Sequence, residues 1–269
     1  MTRAAPRRVR KTVFGRDPGA YDRSRLPYPS RVFELLTDRC GLGPGTAVFE
    51  IGPGTGIATS ELLRLGANPL MLIEADARLA RFLANRLAPF AGAVTISNQA
   101  FERSPLSRGA FDLGVAASSF HWLPERRALR KIARVLRPGG WWATWNNHHG
   151  DPYRTSPFHD ALQPLYEVLD GGRGQRYTKA VAAKDRRERL LALRSVGEFE
   201  QISREDIRWT ARLTTDQVRS LWGTFSDIMT RPLARRRWFL RELARTVDER
   251  FGGTVEFPVL TPIYTARRR

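Results

Sequence analysis

Val48-Phe49-Glu50-Ile51-Gly52-Pro53-Gly54-Thr55-Gly56 decides the reading of this chain. An apolar run ends on Glu50 and Ile51, breaks into glycine at every second position, and gives way to a helical pattern at Ile57. Glycines so spaced let the backbone turn tightly and approach a ligand without Cβ collisions. A dinucleotide turn would read G-x-G-x-x-G and seat a pyrophosphate on the helix N-terminus. Here the third glycine arrives one residue early, and Glu50 disfavours a phosphate while suiting a cationic amino group. A glycine-rich turn alone is also what any tight strand-to-helix connection uses. Glu74 separates the two readings. It closes the next apolar strand, 20 residues beyond Gly54, where an acid can accept both hydroxyls of a ribose. Acids at both positions, with no turn suited to phosphate, point to a nucleoside that carries an amino acid.

Working outward, Thr46–Ile51, Leu70–Glu74, Val94–Ser97, Phe111–Ala117 and Gly140–Trp145 have the pattern of strands. Ile57–Leu65, Ala77–Leu87 and Pro124–Leu136 have the pattern of the helices between them. Alternation of this kind implies βαβ units and a parallel sheet covered on both faces. Arg137-Pro138-Gly139-Gly140 is expected to stop the last of these helices. Ile202–Leu213 and Thr254–Ala266 add two strands, and Thr215–Arg250 reads as two helices broken near Pro232. The expected fold is α/β and Rossmann-like, with seven mostly parallel strands and helices on both faces. Residues 1–13 read as a flexible basic arm and 14–269 as one domain. Within it, polar residues 151–194, interrupted by Gly171-Gly172-Arg173-Gly174, are expected to form a helical lid hinged at the glycines and placed over the carboxyl edge of the sheet.

Together these stretches resemble the class I methyltransferases, especially the type 11 branch near trans-aconitate methyltransferase. The resemblance runs from about Tyr21 to the C-terminus. It rests on the glycine turn, on Ile73-Glu74-Ala75-Asp76, and on Phe111-Asp112-Leu113 leading to Ser119-Phe120-His121-Trp122-Leu123. It continues through Ala133-Arg134-Val135-Leu136-Arg137-Pro138-Gly139-Gly140 and Trp145-Asn146. The resemblance implies S-adenosylmethionine as cofactor. Gly52, Pro53, Gly54 and Gly56 would pack against its methionyl part, with Glu50 holding their surroundings and Glu74, beside Ala75, binding the ribose. The Phe101 amide would meet the adenine ring. Relatives often carry an acidic or polar side chain just before it; Ala100 stands there, so that contact falls to Gln99, backbone or water. Carbonyls around Ala116, Ala117 and Ser118 would face the methionyl amine, and Tyr21 with Arg25 would cover the carboxylate. Many nucleic-acid amino methyltransferases carry an Asx-Pro-Pro-aromatic tetrapeptide after the fourth strand. Ala117-Ser118-Ser119-Phe120 occupies that place, which favours a small-molecule acceptor.

Methyl transfer from a sulfonium needs alignment and dryness more than acid–base help. A base matters only if the acceptor is a hydroxyl, since a carboxylate has no proton to lose. His121 follows the fourth strand at the ligand-binding edge and is the candidate base, although a wall residue beside Trp122 would look the same. His148 and His149 follow the fifth strand and could line the pocket. Phe120, Trp122, Trp145, Tyr21 and Tyr28 suit either an apolar acceptor pocket or ordinary core. Cys40 is the only cysteine, so neither an intramolecular disulfide nor a cysteine-based metal site can form, and a reducing cytoplasm suits that usage. No apolar run reaches the roughly 20 residues of a membrane span. The formal net charge of +18 comes almost wholly from arginine, much of it on helix faces. Nucleic acid is therefore a possible partner, but a solvated surface explains the charge as well and is preferred.

Overall fold

The computed structural model describes residues 17–170 and 177–269; the basic arm and the Gly171–Gly174 break fall outside the described residues. Two short helices, α1 (Pro18–Ser24) and α2 (Ser30–Asp38), come first. Then follow β1 (Thr46–Ile51), α3 (Ile57–Arg64), β2 (Ala67–Ile73), α4 (Ala77–Arg86), β3 (Val94–Ser97), β4 (Phe111–Ala117), α5 (Glu125–Val135) and β5 (Leu136–Trp145). The chain continues with α6 (Pro157–Asp170), α7 (Lys179–Val196), β6 (Phe199–Thr214), α8 (Thr215–Gly223), α9 (Ser226–Met229), α10 (Leu233–Phe251) and β7 (Thr254–Arg268).

The seven strands form one sheet in the order β3-β2-β1-β4-β5-β7-β6. β1 to β5 pair in parallel, and β7 runs antiparallel to β5. This is the mostly parallel seven-stranded sheet expected from the sequence. Chain progression reverses between β1 and β4, and the crevice at their carboxyl ends is where open α/β sheets bind ligands. β1 and β4 are buried along almost their whole length, as strands with helices on both faces must be. α5 turns Ala128, Leu129, Ile132, Ala133 and Val135 inward at helical spacing. Asp76 starts α4 by accepting the Arg78 amide, and Thr214 with Gln217 forms a capping box on α8.

The chain divides into two compact units. One holds residues 27–147, 183–207 and 261–269, and so the parallel strands. Its core is aromatic, with Phe49 against Phe111 and Phe120 against Trp142 at ring separations of 5.1 and 4.9 Å. The other holds the described residues among 17–26, 148–182 and 208–260, around Phe158, Trp222, Phe239 and Phe257. The stretch expected to be a lid is shared between them. Phe158, Leu162 and Leu169 of α6 enter the second core, while Leu193 of α7 enters the first.

Several boundaries differ from expectation. α5 stops at Val135 because Leu136 is already extended, at φ −70° and ψ 144°. Arg137-Pro138-Gly139-Gly140 is not a helix stop but a bulge in β5: Leu136 pairs with Phe111 and Trp141 with Leu113, and Gly139 takes φ +78° between them. Three helices, not two, span Thr215 to Phe251, and Pro232 is the N-cap of the last.

Candidate active site

The glycine turn that links β1 to α3 has φ of +63° at Gly52, +63° at Gly54 and +92° at Gly56, a region that L side chains rarely adopt. The three glycines serve different ends. A Cβ on Gly52 would lie 2.7 Å from Ser119 Cβ, and one on Gly56 would lie 2.9 Å from Leu83 Cδ2. A Cβ on Gly54 would meet nothing within 4 Å, so this residue faces open space. Pro53 between them is buried. The Ser119 hydroxyl donates to the Ile51 carbonyl and ties the end of β4 to the end of β1. The Arg86 guanidinium donates to the Thr55 carbonyl at 3.2 Å and holds the far side of the turn.

Both acids lie at this turn and both are buried. Glu74 accepts the Gly54 amide at 3.1 Å with one oxygen and the Asp76 amide at 2.9 Å with the other. Glu50 accepts the Thr59 hydroxyl at 2.6 Å; its second oxygen is buried and has no hydrogen-bond partner, as is the Thr55 hydroxyl. Burial pushes each carboxyl up to about 7, against the hydrogen bonds that favour its charged form; for Glu50 the nearby Glu74 adds to the rise. Two under-solvated carboxylates beside an open glycine form a site that a cation stabilises and a phosphate does not. The group implied by the sequence, a cationic nucleoside with an amino acid, fits it.

Most of the expected site residues join these in the sheet-bearing unit. Ala75 is exposed next to Glu74. The Asn98 side chain donates to the Glu74 carbonyl at 2.8 Å, anchoring the loop after β3. In that loop Ala100 is half-buried, and Phe101 is buried with its ring parallel to Phe49. Ala116 and Ala117 end β4 in the core, the Ala116 carbonyl accepting the Thr144 hydroxyl at 2.9 Å. Ser118 takes φ +54°, donates its amide to the Trp145 carbonyl at 2.8 Å and accepts the Tyr28 hydroxyl at 3.0 Å. His121 is exposed in the turn after β4, its ring 4.7 Å from that of Trp122. Phe120 and Trp145 are core residues, and Tyr28 meets Trp145 edge-on at 5.8 Å.

Tyr21 and Arg25 belong to the other unit, on and just after α1. There Arg25 lies over the Tyr21 ring at 4.7 Å and donates to the Thr224 carbonyl at 3.2 Å. His149 of the same unit lies beside Phe225, and burial together with the Arg25 charge holds its imidazole well below the ordinary histidine range. Thr59, the partner of Glu50, went unnoticed in the sequence. Its signal is a polar residue on the inner face of α3, one turn beyond the glycines. The bond between Tyr28 and Ser118 joins residues 90 apart and leaves no local signal.

Residues 49–144 match the family described as the methyltransferase domain. The chain is 22% identical over 261 residues to an uncharacterized methyltransferase of Schizosaccharomyces pombe, covering 95% of this chain and 97% of that one. It spans about half the length of the mycobacterial methyltransferases it also matches. Among solved structures, a candidate type II methyltransferase from Anaeromyxobacter dehalogenans is similar with a TM-score of 0.61 at 20% identity, over 91% of this chain and 97% of that one. Geranyl diphosphate C-methyltransferase from Streptomyces coelicolor, solved with S-adenosyl-L-homocysteine, is similar with a TM-score of 0.51 at 16% identity, over 89% and 79%. The match over residues 49–144, the methyltransferase relatives and this fold together support a class I S-adenosylmethionine-dependent methyltransferase.

Proposed function

We propose that the chain transfers a methyl group to a small molecule through a carboxylate or hydroxyl of that acceptor. The observation that carries this reading is the end of β4. Where a base-methylating site needs groups that cradle an exocyclic amine, Ser118 is engaged with Tyr28 and Ser119 with the Ile51 carbonyl. Neither residue carries a side-chain carbonyl to accept from such an amine.

In this reading Glu74, with Ala75 beside it, takes the ribose hydroxyls. Gly52, Pro53, Gly54 and Gly56 lie along the methionyl part, and the under-solvated Glu50 favours its positive charge. The backbone at Ala100 and Phe101 meets the adenine, and Ala116 to Ser118 line the amine. Bound S-adenosylmethionine supplies a methyl on a positively charged sulfur, a leaving group that needs no further activation. The chain's part is to align the acceptor and exclude water. For a hydroxyl acceptor His121 takes the proton; for a carboxylate it has no such task.

Incubating the enzyme with methyl-labelled cofactor, pooled small carboxylates and alcohols, and total RNA tests the proposal. Label is expected in the small-molecule fraction. Label confined to RNA or protein would overturn it and give the +18 charge a partner. His121→Ala should then lower turnover about 100-fold on a hydroxyl acceptor and leave a carboxylate acceptor nearly unaffected.

A further inference from the structure

Lys131 is one of only four lysines in a chain whose other 41 basic residues are arginine. It stands half-buried on α5, and its ammonium donates to the carbonyls of Phe101 at 2.5 Å, Ser104 at 2.5 Å and Glu102 at 3.3 Å. The same ammonium lies 4.9 Å from the centre of the Phe101 ring. All three carbonyls belong to the loop that leaves the carboxyl end of β3. Within that loop the amides of Arg103 and Ser104 close back on the Ala100 carbonyl. At its other end Asn98 is bonded to the Glu74 carbonyl. The loop is therefore pinned twice, to the acid at the glycine turn and to a buried-side cation on α5.

The choice of lysine follows from shape. An ammonium is a compact charge with three donors that diverge from one point, whereas a guanidinium is a flat fork matched to a carboxylate. Three carbonyl oxygens converging from one turn suit the former. Remove the cation and those oxygens face one another, so the loop must open or rotate its peptides.

We propose that Lys131 is a positioning residue for the cofactor's base: it holds residues 101, 102 and 104 from behind, and so sets the backbone at Ala100 and Phe101 that distinguishes adenine. This rests on the reading above that the loop after β3 meets the adenine.

The test compares calorimetric affinities for S-adenosylhomocysteine and S-inosylhomocysteine in the full chain, in Lys131→Met and in Lys131→Arg. The parent chain should prefer the adenine compound by about tenfold or more. Both variants should bind the adenine compound about tenfold more weakly while changing little toward the inosine compound, so that the preference collapses. A purely structural role would weaken both ligands alike. Thermal unfolding reports whether each variant is folded, and Lys131→Arg, which keeps charge and length, decides the matter if Lys131→Met is not. Retention of the adenine preference in a folded variant overturns the role of Lys131. Absence of that preference in the parent chain overturns the adenine reading beneath it.

Discussion

Glu50 and Glu74 hold the most consequential chemistry in the molecule, because both are carboxyls pushed from 4.5 to about 7 by burial. The sign of the effect on stability follows from proton counts. Between about 4.5 and 7 the folded chain keeps protons that the unfolded chain has released, so the fold is favoured toward the acid end. The contribution of this pair to stability should fall as pH rises through that window and level off above it. Affinity for a cationic cofactor should run the other way, rising through pH 7 as the carboxyls ionise. Binding S-adenosylmethionine at pH 6.5 should then release protons, which calorimetry in two buffers of different ionisation enthalpy detects. Proton uptake, or affinity flat from pH 6 to 8, would show that neither acid faces the positive charge. At this scale the sequence was informative where spacing carries meaning, as for Glu74. It was silent where a partner arrives through the fold, as Tyr28 does for Ser118.

At the scale of elements, the glycine turn separates packing from ligand approach. Gly52→Ala meets both an unfavourable φ and a Cβ 2.7 Å away, and should cost about 3 kcal/mol of stability. Gly54→Ala shares the φ but not the collision; about 1–2 kcal/mol is expected, with cofactor affinity bearing the larger loss. Chemical unfolding with cofactor titration on both variants checks the split, and equal losses of stability would contradict it. β1 and β4 could be read to the residue, since apolar runs bounded by turn residues mark buried parallel strands; the bounds of β3, a half-exposed edge strand, were legible as well. β2 begins earlier than its pattern suggests, at Ala67 rather than Leu70. Asn68 and Pro69 argue against a strand, but they sit at its exposed start. The Pro and Gly after α5 misled in the same way. They mark irregular backbone, and only pairing across to Phe111 and Leu113 shows the irregularity to be a strand bulge.

For the whole molecule, the division into two units was not legible, because periodicity reports which face of an element is apolar and not which other face it meets. Residues 151–194 read as one polar helical insertion, yet its described residues up to 182 and those from 183 fall in different units. If this stretch works as a lid, amides of α6 should gain hydrogen-exchange protection only when cofactor and acceptor are both present. Equal protection with and without ligands would make it a fixed part of its unit. The central claim is that the turn at Gly54 and the acid at Glu74 together bind an adenosyl amino acid and not a dinucleotide. Calorimetric titration of S-adenosylhomocysteine and of NAD into the parent chain and into Glu74→Ala tests it most directly. The account predicts binding of S-adenosylhomocysteine, none of NAD, and a loss of at least about 1.5 kcal/mol in the variant as charged hydrogen bonds are removed. Tight NAD binding, or an affinity for S-adenosylhomocysteine unchanged by Glu74→Ala, would contradict it.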